Sequence, residues 1–151
     1  MSRSAALLVV LAQLAGCWGR IDQHQEFFAR QILDQHERFR ALPPDQQVDI
    51  YLAAMRRHPP DLAFASDIAE THGRDALPAL RAALRAEKDE ALRCDLLYVL
   101  ERMVAPNAVA LDEETVQVAS EAVGDMRFDV FRSRAEKQLA TIRSGLEKPT
   151  P

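Results

Sequence analysis

The segment ALPALRAALRAEKDEALRCDLLYVLERM, residues 76–103, contains two amphipathic stretches separated by a charged turn. In the first stretch, Leu77, Leu80 and Leu84 recur at helical spacing. Pro78 stands in the first turn, where a helix tolerates proline. The second stretch continues the apolar stripe with the same period, at Leu92, Leu96, Val99, Leu100 and Met103. The segment therefore predicts an antiparallel pair of α-helices.

A second copy of this pattern follows directly along the chain. The shift that places Arg93 on Arg132 also superimposes the apolar stripe of residues 77–103 on that of residues 116–142. Gln138 departs from the pattern, because an apolar residue is expected there. The matched core positions are Leu77, Leu80 and Leu84 with Val116, Ala119 and Val123, and Leu92, Leu96, Leu100 and Met103 with Phe131, Ala135, Leu139 and Ile142. Helix pairs repeated at about 40 residues are typical of α-solenoids.

Residues 76–103 resemble a single HEAT repeat of the short bacterial kind, with a proline in the first helix, an acidic turn residue at Asp89 and the dipeptide Leu92-Arg93. The resemblance implies an all-α fold in which antiparallel helix pairs stack as a short HEAT-like α-solenoid over residues 21–144. Residues 45–72 match as a more degraded copy, and Ile21–Leu42 predicts one long helix that caps the array. The alternative is an irregular helical bundle in which one HEAT-like hairpin is incidental.

Capping residues predict where the helices begin and end. Aspartates are expected to cap helix N-termini, and glycines or prolines to end helices. His58 and His72 stand at predicted helix C-termini, where the helix dipole favours a cation. The expected N-caps are Asp45, Asp61, Asp75 and Asp112, and the expected ends are Pro43-Pro44, Pro59-Pro60, Gly73, Pro106, Gly124 and Gly145. Residues 145–151 are expected to be a frayed, disordered tail.

The N-terminus has the organisation of an export signal. Arg3 precedes an apolar run from Ala5 to Leu14, followed by the small residues Ala15 and Gly16. This run is too short to cross a bilayer, because a spanning helix needs about 20 apolar residues. The other interpretation is a buried core helix that happens to end in Gly-Cys.

The tetrapeptide Leu14-Ala15-Gly16-Cys17 resembles the lipobox of bacterial lipoproteins. The resemblance implies that residues 1–16 are a cleaved signal peptide, that Cys17 carries a covalent lipid, and that residues 17–20 form the anchor. Because Trp18 rather than Asp follows the cysteine, the resemblance also implies the periplasmic face of an outer membrane. Cys94, the second of two cysteines, then has no partner for a disulfide within the chain.

The composition argues against a nucleic-acid partner. The chain has 19 Lys and Arg against 23 Asp and Glu, a formal charge of −4. Removal of residues 1–16 takes away one cation, Arg3, and makes the charge −5. Nucleic-acid binding depends on a basic surface, and export points away from it as well.

No residue pattern predicts catalysis, a metal or another cofactor. The chain contains no His-Glu-x-x-His, Cys-x-x-Cys or Gly-x-Ser-x-Gly motif and no glycine-rich phosphate loop. An enzyme is the least favoured interpretation, since it would require His24 to approach His36, or His58 to approach His72.

A protein-binding surface is expected on the second helix of each pair. On α-helical geometry, the arc opposite Leu92, Leu96 and Leu100 holds Cys94, Tyr98, Glu101 and Arg102, with Asp95 at its edge; the last helix adds Arg134 and Lys137. An aromatic residue among mixed charges suits protein recognition, although Tyr98 could instead pack against a neighbouring helix. The sequence thus predicts a non-catalytic, lipid-anchored periplasmic scaffold or adaptor with a protein partner. The alternative is an immunity-type lipoprotein that neutralises a periplasmic toxin.

Overall fold

A computed structural model of the chain describes residues 24–57 and 62–146. The predicted signal peptide, the lipobox with Cys17, and Trp18 lie outside the described residues. The same holds for His58, the expected cap Asp61 and residues 147–151 of the predicted tail 145–151. The described residues fall into two units, one that ends at Arg38 and one that begins at Phe39.

The first unit contains an interrupted helix where one long helix, Ile21–Leu42, was expected. Helix α1 is described from residue 24 and ends at residue 28, and α2 begins at Ile32 and runs to Arg40, across the boundary between the units. The side-chain amide of Gln35 donates to the carbonyl oxygens of Phe28 and Arg30 at the break. This buried amide satisfies acceptors that a continuous helix would pair with backbone N–H groups. No proline or glycine marks the break, so the sequence pattern did not predict it.

The second unit is helical along most of its length. Its α-helices are α3, Pro44–Met55; α4, Ala63–Thr71; α5, Leu77–Ala86; α6, Glu90–Val104; α7, Glu113–Gly124; and α8, Asp129–Ser144. A short 3-10 helix, Gly73–Ala76, precedes α5. The described residues contain no β-strand, and a single bridge joins Leu111 to Leu146. The all-α class predicted from the sequence is confirmed.

The helices of the second unit contact one another in a regular order. Consecutive helices pair as α3 with α4, α5 with α6, and α7 with α8. Helix α5 also contacts α3 and α7, while α6 contacts α4 and α8. The first helices of the pairs are thus neighbours in one row and the second helices in another. Helix α6 has a neighbour on each side in its row, which explains why Leu92 through Leu97 are all buried.

The apolar core confirms most of the predicted stripes. Leu77, Leu80 and Leu84 of α5 are almost fully buried. Val116 and Phe131, which were predicted to face inward, are only half-buried, and so are Leu52 and Met55 of α3. The largest buried side chains are Tyr51, Phe39, Phe64, Ile68, Leu77, Leu80, Leu84, Leu96, Leu97, Leu100, Met103 and Leu111. Burial of each large apolar side chain contributes about 1.5–3 kcal/mol.

Of the four predicted N-caps, Asp112 is confirmed, Asp45 and Asp75 are wrong, and Asp61 lies outside the described residues. Asp89, expected in the turn before α6, accepts N–H groups of that helix, and Asp112 accepts the N–H of Thr115 in α7. Asp45 lies one residue inside α3, because Pro44 already occupies the first helical position. Asp75 lies within the 3-10 helix, so it does not cap α5. Gly73 has φ +49°, the left-handed conformation expected at a helix end.

Candidate functional site

The five residues predicted to bind a partner lie on α6 and α8, which contact each other. Arg134 and Lys137 are exposed, and Tyr98 and Arg102 are half-buried. Asp95 is only 7% exposed, and the neighbouring Cys94 is fully buried. The expectation that this side of α6 faces outward is therefore wrong at Cys94 and Asp95. Helix α8 packs against α6 and covers part of the predicted surface.

Asp95 and Arg134 contact each other instead of both facing solvent. The Arg134 guanidinium lies 3.4 Å from a carboxylate oxygen of Asp95. Burial disfavours the charged carboxylate and raises the pKa of Asp95, and the interaction with Arg134 only partly opposes that effect. Asp95 therefore contributes mainly to the α6–α8 interface.

Two buried side chains donate hydrogen bonds to consecutive carbonyls in the middle of α6. The Tyr51 hydroxyl of α3 donates to the carbonyl oxygen of Asp95 at 3.0 Å, and the Gln138 amide of α8 donates to that of Cys94 at 3.1 Å. Burial raises the pKa of Tyr51 far above its ordinary value, so the hydroxyl stays protonated and keeps donating. Gln138, the residue that departed from the repeat pattern, thus has a specific partner.

Cys94 is a buried free thiol. Its sulfur lies 3.5 Å from the carbonyl oxygen of Phe131, to which the thiol donates. Burial raises its pKa, and nearby Asp95 and Glu90 act in the same direction, whereas Arg134 opposes them. A thiol with a raised pKa is a poor nucleophile.

Two equivalent arginines make the same hydrogen bond in successive helix pairs. Arg93 Nε donates to the carbonyl oxygen of Glu87 at 2.8 Å, and Arg132 Nε donates to that of Met126 at 3.1 Å. The shift along the sequence that superimposes the two donors also superimposes the two acceptors. In each pair, an arginine of the second helix binds a carbonyl in the turn that follows the first helix. The sequence signal for this feature was the arginine match in the repeat.

A cleft that the sequence did not predict lies between the α5–α6 turn and the α7–α8 turn. Its volume is about 1020 Å³, and its lining includes Lys88, Arg93, Arg127, Phe128 and Phe131. Phe128 is 64% exposed, so this cleft presents an apolar ring to solvent.

Glu90 joins the two turns that form this cleft. Its carboxylate accepts the N–H of Arg127 at 2.7 Å and the N–H of Phe128 at 3.0 Å, at the start of α8. Desolvation opposes ionisation of Glu90, but these two hydrogen bonds and the charges of Arg93 and Arg127 outweigh it and lower the pKa. Glu90 is the first residue of α6, and its carboxylate binds the two N–H groups that immediately precede α8 in the next pair.

The described residues contain no group of three or more His, Cys, Asp or Glu side chains that could hold a metal ion. His72 follows α4, as predicted, and a ring nitrogen lies 2.9 Å from the carbonyl oxygen of Leu42. Within the part of the chain that the structure covers, no helix is long and apolar enough to cross a bilayer.

Comparison of the chain with protein-family models, with curated proteins and with solved structures gave no match. Function is therefore inferred from the sequence and from the arrangement of the described side chains.

Proposed function

We propose that the protein is a lipid-anchored envelope lipoprotein whose helical domain is a short HEAT-like solenoid that binds another protein without catalysis. The order of helix contacts supports the solenoid, because each of the two rows joins helices of successive pairs. A bundle with one incidental hairpin has no reason to repeat that order.

The shared hydrogen bond of Arg93 and Arg132 carries the proposal. Each arginine satisfies a turn carbonyl that the preceding helix leaves without a backbone partner. The same donor at the same place in two successive pairs supports one structural unit that is used twice. Stacked units of this kind offer extended surfaces for protein partners.

The proposed membrane attachment rests on the sequence Leu14-Ala15-Gly16-Cys17. Each buried CH₂ group of an acyl chain contributes about 0.8 kcal/mol, so two or three chains on Cys17 would anchor the protein stably. The solenoid would then be held at the membrane, at the periplasmic side of an outer membrane, with its surfaces open to soluble or membrane-bound partners.

A non-catalytic role is supported by the structural use of the ionisable side chains. Asp112 loses solvation on burial, but hydrogen bonds from Thr115 and Arg81 outweigh that loss and lower its pKa. Asp89 caps α6, and the Cys94 thiol has a raised pKa. These groups hold helices together and are not prepared for proton transfer or nucleophilic attack. The exposed parts of Tyr98, Arg102, Arg134 and Lys137 remain the proposed partner surface.

The test is mild crosslinking in cells, followed by affinity capture and mass spectrometry. The native chain is compared with Cys17→Ser, with Tyr98→Ala combined with Arg102→Glu, and with Arg143→Glu as a control at an exposed position of α8. We expect one dominant partner that Cys17→Ser and the double variant lose and the control retains, with unchanged thermal melting.

Three outcomes discriminate between the alternatives. Cys17→Ser that stays in the membrane fraction would contradict lipid anchoring. Capture retained by the double variant would contradict the assigned surface. A secreted toxin as the dominant partner would favour the immunity-type function over a housekeeping scaffold.

A further inference from the structure

Phe128, which lines the cleft, occupies the N-cap position of α8. It corresponds in the repeat to Asp89 of the preceding pair, and the two backbones are alike: φ −89° and ψ 121° at Phe128, φ −75° and ψ 119° at Asp89. Asp89 accepts two N–H groups of α6, whereas Phe128 provides no side-chain cap for α8. The chain thus has an exposed aromatic ring where the repeat favours a stabilising aspartate.

More apolar surface lies beside this ring. Val130 is 72% exposed, and it replaces Ala91 of the preceding pair. The rings of Phe128 and Phe131 stand edge to face with their centroids 6.4 Å apart, and both line the cleft. The start of α8 therefore presents two exposed apolar side chains, Phe128 and Val130, next to the half-buried Phe131.

Two cations that line the cleft form no ion pair with the described residues. Asp89 is occupied by the N–H groups of Ala91 and Leu92, and Glu90 by those at the start of α8. Among the described residues, neither the Lys88 ammonium nor the Arg127 guanidinium has a carboxylate oxygen within 4.0 Å. The cleft thus combines aromatic rings with two cations available to an external carboxylate.

We propose that this cleft docks an acidic segment of a partner protein, which places an apolar side chain against Phe128 and Phe131 and carboxylates near Lys88 and Arg127. The inference rests on the proposed protein-binding function and names the chemistry of its partner. A bilayer is a poorer occupant, because the site is a concave cleft, which a peptide segment can enter and a broad, flat membrane surface cannot.

The experiment uses a library of short random peptides displayed on phage and selected on the immobilised full chain. Enriched peptides are then tested on Phe128→Ser combined with Arg127→Glu. The control combines Leu33→Ser with Arg143→Glu, which removes the same kinds of group at exposed positions outside the cleft.

We expect the enriched peptides to combine Asp or Glu with an aromatic or aliphatic residue, and to lose at least tenfold in affinity for the cleft variant only. Serine is a favourable N-cap, so Phe128→Ser alone is expected to bind more weakly without melting at a lower temperature. That combination separates lost binding from lost folding.

Each other outcome overturns the inference in a recognisable way. If the peptides bind the cleft variant with undiminished affinity but lose affinity for Tyr98→Ala, the protein-binding function stands and the binding site is the Tyr98 surface instead of the cleft. Enrichment of basic or uncharged peptides would contradict the stated chemistry. No enrichment on a folded chain would count against both proposals. Full-length Cys17→Ser is also floated with phosphatidylglycerol vesicles. If the chain floats and the cleft variant does not, the occupant of the cleft is an anionic membrane and not a peptide.

Discussion

Buried polar side chains determine how α6 sits among its neighbours. Tyr51 from one side and Gln138 from the other donate to adjacent carbonyls of α6, and Asp95 contacts Arg134 of α8. Hydrogen bonds are directional, whereas apolar packing tolerates small sliding movements. These bonds therefore fix the register of α6 between α3 and α8.

The raised pKa of Asp95 predicts a pH-dependent cost to stability. In the folded chain the carboxyl holds its proton to a higher pH than its ordinary pKa of 3.8, so folding binds a proton in that window and stability falls as pH rises through it. Asp95→Asn removes this dependence and keeps an acceptor for Arg134. We expect the variant to gain stability relative to the native chain as pH rises from the acidic range to neutrality in urea unfolding. A difference that is constant, or that shrinks with pH, would mean that the Arg134 interaction outweighs desolvation.

At this scale the sequence predicted residues whose role is local. The caps Asp89 and Asp112, and the repeated Arg93, were visible because their partners lie close to them along the chain. The burial of Asp95 could not be predicted from the sequence, because it depends on α8, which belongs to the next helix pair. The same holds for Glu90, whose hydrogen-bond partners also lie in that pair.

Helices α6 and α8 begin with the same backbone geometry and different capping residues, which allows a paired test. Asp89→Ala is expected to cost about 1 kcal/mol, because two N–H groups of α6 lose their acceptor. Phe128→Ser is expected to gain up to about 1 kcal/mol by supplying a missing cap. Urea unfolding of both variants measures the two effects. A loss of stability in Phe128→Ser would indicate that the exposed ring already contributes to the fold.

Gly124 is the last residue of α7 and Gly145 directly follows α8, and the two glycines differ in their surroundings. A Cβ atom at Gly145 would overlap the side chain of Val104, and the Gly145 carbonyl accepts the N–H of Leu111 at 2.9 Å. At Gly124 a Cβ atom would meet nothing within 4 Å. Gly145→Ala is therefore expected to cost about 1–3 kcal/mol and Gly124→Ala to gain about 0.5–1 kcal/mol.

Thermal and urea unfolding of the two alanine variants compare them directly, with Gly124→Ala as the control for the general effect of replacing glycine in a helix. Equal effects at both positions would contradict the close approach of Val104 to Gly145. Sequence pattern alone marked both glycines as helix ends, and it could not distinguish them, because Val104 belongs to a different helix pair.

On the scale of the second unit, the sequence predicted the all-α class and the helix pairs, since both follow from apolar periodicity within a single pair. The interruption at residues 29–31 was missed, because the Gln35 amide that stabilises it leaves no mark in the apolar pattern. The order of the rows was suggested only by the repeat of the helix pair along the chain. Successive helix pairs contact each other through residues that are far apart in the sequence, and local sequence patterns cannot predict such contacts.

A solenoid and a bundle predict different responses to loss of core side chains. Leu96 of α6 and Ile142 of α8 are both fully buried, and replacement of either by alanine is expected to cost about 2–5 kcal/mol. In a stacked array each pair contacts only its neighbours, so the last pair can open while the others stay folded. Ile142→Ala should then accelerate amide hydrogen exchange in residues 113–144, whereas Leu96→Ala should accelerate it throughout the second unit. Equal acceleration of α3 and α8 by both variants would indicate one cooperative bundle, and the extended binding surface expected of a solenoid would lose its structural basis.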